Sequence, residues 1–174
     1  MSNSISGDFA MQGSEVAVSW PAKVSLPPPP DPVGAYSAVV IRGGLGFVSG
    51  QFPLTAGVML GTATQPKQPD IEALKAAARL AAFNVVAQIR RALGSWERFD
   101  GLCRVDGIIA APEEFTSHAT VLDAASELFV ELFGPMYGAH ARSAISSPGL
   151  PGNASIELVV TFAVRPDQSS PASR

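Results

Sequence analysis

Arg142 and Glu157, fifteen positions apart, carry the most chemistry that this sequence has to offer. Arg142 stands in the short β-prone run Ala141-Arg142-Ser143-Ala144-Ile145, and Glu157 lies near the start of a strongly apolar strand. Between them Pro148, Gly149, Pro151, Gly152 and Asn153 break the chain. Both charges therefore fall on segments that bury side chains. A guanidinium is a planar fork of N–H donors that can grip a carboxylate through two parallel hydrogen bonds. A carboxylate beside it can orient a water or move a proton. Together they are the minimum equipment for holding and hydrolysing a small acidic molecule. His140, two residues before Arg142, projects to the same face of an extended strand; it reads as a packed or interface imidazole ahead of a proton carrier. The structural alternative for Arg142 is an ion pair with Glu157 or Asp106 that serves the fold alone.

Composition narrows the chemistry. A chain of 174 residues with 47% hydrophobic and 16% charged residues suits one domain with a substantial core. The net charge of −3, a sequence pI of about 5.3 and scattered Lys and Arg argue against a nucleic-acid partner. The lone Cys103 excludes an intrachain disulfide, and the two histidines, His118 and His140, show no metal-ligand spacing, so neither metal nor cofactor is expected. The first residues lack the basic and apolar regions of an export signal, and the Ala-rich stretch 76–87 is interrupted by Arg79 and Asn84. The expectation is a soluble cytoplasmic protein with no membrane partner. A serine triad of Ser49, His140 and Asp106 lacks the nucleophile-elbow spacing. The glycines at 43, 44 and 46 precede a loop rather than a helix, so no helix dipole faces a phosphate.

The elements that must position Arg142 and Glu157 follow from pattern. Residues 1–32 read as a lead-in, with Val16, Val18 and Trp20 as a possible short edge strand and Pro27 to Pro30 as a stiff polyproline II spacer. The folded domain is expected over 33–164, and 165–174 as a disordered Pro/Ser tail. Ala38–Arg42 and Leu45–Ser49 form a hairpin around Gly43-Gly44, which tolerate the positive φ of a primed turn. Asp70 caps a helix whose Ile71, Leu74, Ala78, Ala81, Val85 and Ile89 recur at spacings of three and four until Gly94. Leu102–Ile109 is a strand, with Cys103 placed in the core beside Val105 and Ile109. A second helix follows Thr116 or Ser117, buries Val121, Ala125, Leu128, Phe129 and Leu132, and ends at Gly134-Pro135. The strand with Arg142 and the strand Ser155–Val164 close the order ββαβαββ, with the first helix crossing between parallel strands. The fold class is thus α+β, a single mixed β-sheet with two helices on one face. In the last strand Ile156, Leu158, Val160, Phe162 and Val164 form one apolar face, yet Val159, Thr161 and Ala163 also line the other, beside Glu157. A second apolar face implies a second subunit against it, with Glu157 at the rim.

From Val33 to Val164 the sequence resembles the YjgF/Rid family, the reactive-intermediate imine deaminases, also called endoribonuclease L-PSP-like proteins. The motifs that carry the resemblance are Gly-Ala-Tyr36, Phe-Val-Ser49-Gly50-Gln51, Ala-Ala-Phe-Asn84, Ala-Arg142-Ser143, and Leu150-Pro151 followed by Ile156-Glu157. The resemblance implies a chorismate-mutase-like fold, a homotrimer and three clefts between subunits, without a cofactor. It further implies that Arg142 clamps a carboxylate, that Glu157 assists the attacking water, and that Tyr36, Ser49, Gly50, Asp123 and the backbone of Ala144 line the substrate pocket. The implied reaction is hydrolysis of 2-imino acids, or their enamine tautomers, to 2-oxoacids and ammonia; the alternatives are a non-catalytic trimer that binds a small carboxylate, and RNA cleavage. Two positions depart from the pattern: alanine stands at 144 where many active members have cysteine, and aspartate at 123 where they have asparagine. The added charge at Asp123 opposes an anionic ligand.

Overall fold

The structure, a computed structural model, describes residues 24–61 and 69–166. The possible edge strand at Val16–Trp20 and the tail after residue 166 lie outside the described residues.

Two long helices form where the apolar spacing is helical. The first, α1 (Ile71–Leu93), starts at Asp70, whose carboxylate accepts from the backbone N–H groups of Glu72 and Ala73, and stops at Gly94 with φ 71°. Its buried stripe includes Leu74, Ala78, Ala81, Val85 and Ile89, all 5% exposed or less. The alanines in this stripe let its axis lie close to the sheet. The second, α2 (His118–Tyr137), buries Val121, Ala125, Leu128, Phe129 and Leu132; Gly134 (φ 73°, ψ 168°) breaks it before Pro135, and a last turn runs on to Tyr137. No helix among the described residues is long and apolar enough to cross a membrane.

The helices cover one face of a five-stranded mixed sheet. Its strands are β1 (Val39–Arg42), β2 (Leu45–Gln51), β5 (Phe99–Ala110), β6 (Ala141–Ser147) and β7 (Ile156–Val164), in the spatial order β1-β2-β7-β5-β6. A small hairpin of β3 (Leu54–Thr55) and β4 (Val58–Met59) stands apart in the connection to α1. Gly43 (φ 56°) and Gly44 (φ 78°) make the β1–β2 turn. β7 pairs antiparallel with β2 and with β5, so β2 and β5 run parallel with β7 between them, and α1 is the crossover that joins them. α2 joins the adjacent parallel pair β5–β6. β7 alternates strictly, with Ile156, Leu158, Val160, Phe162 and Val164 buried under the helices.

Two irregularities shift the faces. In β5 the register slips between Leu102 and Arg104, so Leu102 and Val105 are both buried while Cys103 is exposed. The expectation of a core cysteine fails for this reason: a bulge inserts a residue and the count of two no longer tracks one face. In β2 the slip falls at Ser49-Gly50, so Val48 and Gln51 both point inward.

Both ends of the expected domain pack further than their composition suggests. Leu26 is partly buried against the core. The Pro30 carbonyl accepts from Gln88 Nε2 at 2.6 Å, and Asp31 pairs with Arg91 at 2.8 Å, which fastens the proline segment along α1. Arg165, the first residue of the expected tail, is held by Asp100 at 2.9 Å and by the Tyr137 hydroxyl at 2.8 Å.

The face of the sheet away from the helices is left uncovered by the described residues and is largely apolar. Val40, Leu45, Phe47 and Ile145 are exposed there, and Phe47 and Ile145 keep 45% and 58% of their surface open. Val159, Thr161 and Ala163 of β7 lie half-buried between them. A polar cluster interrupts this face: Arg104 Nε donates to both oxygens of Asp106 at 2.9 Å, and the Ser143 hydroxyl donates to the same carboxylate.

Candidate functional site

Glu157 belongs to the uncovered face. Its neighbours across the strands are Ile108 and, beyond it, Ile145. The side chain leans over the β2 bulge, where a Cβ at position 50 would fall 1.7 Å from Oε1, so only glycine leaves room for the carboxylate. Among the described residues no cation pairs with it, and burial among apolar neighbours pushes its pKa above the ordinary glutamate value. A carboxylate held in this way is a stronger base than a solvated one and carries a proton more readily near neutral pH.

Arg142 belongs to the opposite face. It is paired in register with the buried Val105, which turns its side chain toward α2. There Nη1 donates to Asp123 Oδ1 at 2.9 Å and to Ser126 Oγ at 3.0 Å. Ser126 Oγ lies 3.0 Å from His140 Nε2, and His140 Nδ1 lies 2.7 Å from the Gly138 carbonyl oxygen. A carbonyl only accepts, so in the neutral imidazole Nδ1 carries the proton, Nε2 accepts from Ser126, and Ser126 accepts from the guanidinium. Phe129 meets the His140 ring edge-on at 5.8 Å. His140 is thus a packed histidine that orients Ser126. The structural pairings of Arg142 with Glu157 or Asp106 do not form: its partner is Asp123, and Asp106 is taken by Arg104.

Within one chain Arg142 and Glu157 therefore do not meet. They sit on opposite faces, two strands and three residues apart, which strand spacing and rise place roughly 14 Å apart at Cα. The other expected site residues divide between these two places. Tyr36 and Gly50 line a cavity of about 40 Å³ with Gln51, Phe52, Leu54 and Gln88, walled by the Pro30–Val33 segment. Ser49 donates from Oγ to the Ser37 carbonyl at 2.8 Å beside it. Asp123 stands with Arg142, and Ala144, one pair further along β6, packs against the core under α2. The triad of Ser49, His140 and Asp106 is not assembled, since each has other partners. Among the described residues no three His, Cys, Asp or Glu side chains cluster as metal ligands.

Two contributors were not among the expected site residues. Ser126 is three residues after Asp123 on α2, a spacing that puts both on one helix face and would have grouped them. Asn84 is fully buried in α1 and donates from Nδ2 to the carbonyls of Phe52 (2.9 Å) and Leu54 (2.8 Å), which fixes the loop that follows the Gly50 bulge.

Comparison with known proteins agrees with this architecture. The family model described as YjgF/chorismate mutase-like, putative endoribonuclease, matches residues 18–165. Protein TCP17 of Trypanosoma cruzi is 32% identical over 143 residues, which is 78% of this chain and 84% of that protein. The solved structure of Atu1372 from Agrobacterium tumefaciens is similar with a TM-score of 0.73 and 30% identity, covering 82% of this chain and 87% of that one. That of a putative endoribonuclease from Shewanella oneidensis MR-1 has a TM-score of 0.75 and 29% identity, covering 80% and 92%. With the helices on one face of a mixed sheet and a family match that runs through both halves of the site, the chain belongs to the YjgF/chorismate-mutase-like family.

Proposed function

We propose that the protein is a cofactor-independent hydrolase that converts 2-imino acids, or their enamine tautomers, to 2-oxoacids and ammonia in clefts between the protomers of a homotrimer. The observation that carries this reading is Glu157, half-buried and without a cationic partner among the described residues, on an apolar sheet face that those residues leave open. A carboxylate in such a place is costly to the fold, and its placement is accounted for if a second protomer brings a cationic group to it. Arg142, on the edge strand and turned to the other face, is the group suited to come from a neighbour.

In the cleft so formed, guanidinium N–H donors hold the substrate carboxylate and fix the imine carbon next to a water. Glu157 takes a proton from that water as its oxygen bonds to carbon and the C=N bond becomes single. That proton passes to nitrogen, Glu157 then takes the hydroxyl proton as the C–N bond breaks, ammonia leaves and the carbonyl of the oxoacid remains. General acid–base help of about 10²–10⁴-fold is enough for this step, because an imine carbon is already electrophilic. The pairing of Arg142 with Asp123 supports a second reading, a trimer that binds a small carboxylate without turning it over.

The deciding experiment generates 2-imino acids in situ with an amino-acid oxidase and follows their loss with and without the protein. Acceleration that vanishes in Arg142→Ala, with the assembly intact, is the expected result. Retained acceleration in that variant sinks the assignment, and binding of 2-oxoacids without acceleration selects the second reading.

A further inference from the structure

The Arg142–Asp123 pair has an asymmetry that bears on the ligand. Both hydrogens of Nη1 are committed, one to Asp123 Oδ1 and one to Ser126 Oγ. Nε and Nη2 have no partner among the described residues, and neither has Asp123 Oδ2. The Asp123 side chain is 53% exposed and that of Arg142 25%. The pair therefore offers a free fork of donors and a free anionic acceptor side by side, with a summed charge near zero. His140 does not disturb this balance in its neutral form, since it is turned to Ser126 and the Gly138 carbonyl.

A plain carboxylate placed on the fork gains two hydrogen bonds but brings a second negative charge next to Asp123. A ligand that carries a protonated nitrogen one carbon from its carboxylate meets both halves of the pair. We propose that Asp123 makes this site selective for zwitterions, in which a carboxylate and a cationic nitrogen share one carbon, over simple carboxylates of equal size. The inference rests on Arg142 as the carboxylate clamp. Its consequence for the proposed reaction is direct: the protonated 2-imino acid has this charge pattern and the 2-oxoacid product lacks it. Asp123 thus separates substrate from product, and product leaves a site that no longer matches it.

Titration calorimetry on the intact assembly tests this with alanine and pyruvate, a zwitterion and a plain carboxylate of three carbons each. Wild type should bind alanine about tenfold more tightly than pyruvate, the size of effect that one nearby charge has in a half-exposed site. In Asp123→Asn, and equally in Asp123→Ser, the ratio should fall to about one, with pyruvate binding tightened. Arg142→Ala should lose both ligands. A ratio that stays within about twofold of wild type in both Asp123 variants, while Arg142→Ala still abolishes binding, overturns the role of Asp123 and leaves the clamp standing. Binding of both ligands that survives Arg142→Ala overturns the clamp and this inference with it. Failure of wild type to bind alanine more tightly than pyruvate, or to bind either, also overturns the proposal.

Discussion

Glu157 Oε1 fills the space that a side chain at position 50 would need, 1.7 Å from where its Cβ would stand. The glycine at the β2 bulge is there for the carboxylate. Gly50→Ala should therefore act on function rather than on folding, because the carboxylate end of a flexible side chain can swing aside at a cost of about 1 kcal/mol. Displacing a reacting group by an ångström costs on the order of 10²-fold in rate. The expected variant melts close to wild type and has lost about that much imine hydrolysis; a normal rate would separate Glu157 from the chemistry.

The raised pKa of Glu157 makes a prediction about stability and pH. Because the folded state holds the proton more tightly than the unfolded chain, stability is greatest below the unfolded glutamate value of about 4.3 and falls as pH rises through the folded value. Glu157→Gln removes that titration. Thermal melts across the acid-to-neutral range should show the variant gaining on wild type as pH rises, with the difference gone at the acid end. Parallel curves at all pH values would mean that burial does not perturb this group.

Asn84 is the buried amide that ties α1 to the loop after β2 through the carbonyls of Phe52 and Leu54. Asn84→Ala leaves both carbonyls without their donor and should cost about 2–3 kcal/mol in urea unfolding. A loss below about 0.5 kcal/mol would show that water replaces the amide freely.

The uncovered face predicts the behaviour of Phe47, which is 45% exposed on β2 beside Thr161. Phe47→Asp places a charge where the proposed trimer buries apolar surface, and sedimentation should find the variant dissociated at concentrations where wild type is assembled. Activity should fall with it. A variant that stays assembled would move the interface to another surface.

The fold was legible wherever periodicity was unbroken. The spacing of Leu74, Ala78, Ala81, Val85 and Ile89, the Asp70 cap and the Gly94 stop define α1 directly, and strict alternation defines β7. Cys103 was misplaced because the β5 bulge adds a residue, and no residue type marks a bulge unambiguously; Gly101 with φ 106° is its nearest sign. The separation of Arg142 from Glu157 was not readable, because it depends on how β5 is registered against β6 on one side and β7 on the other. The bond from Arg142 to Asp123 depends on the rotation of α2 about its axis, which alternation along β6 does not determine. The family resemblance carried no sign of which of the residues it named share a face.

The opposed placement of Arg142 and Glu157 has a genetic consequence. If each working cleft takes its cation from one protomer and its acid from the next, two inactive variants can rescue each other. In a closed ring, any mixed trimer of Arg142→Ala and Glu157→Gln chains contains one junction where both intact residues face each other. Equal mixing should then restore about a quarter of the wild-type sites. Neither parent, at any concentration, would recover activity alone.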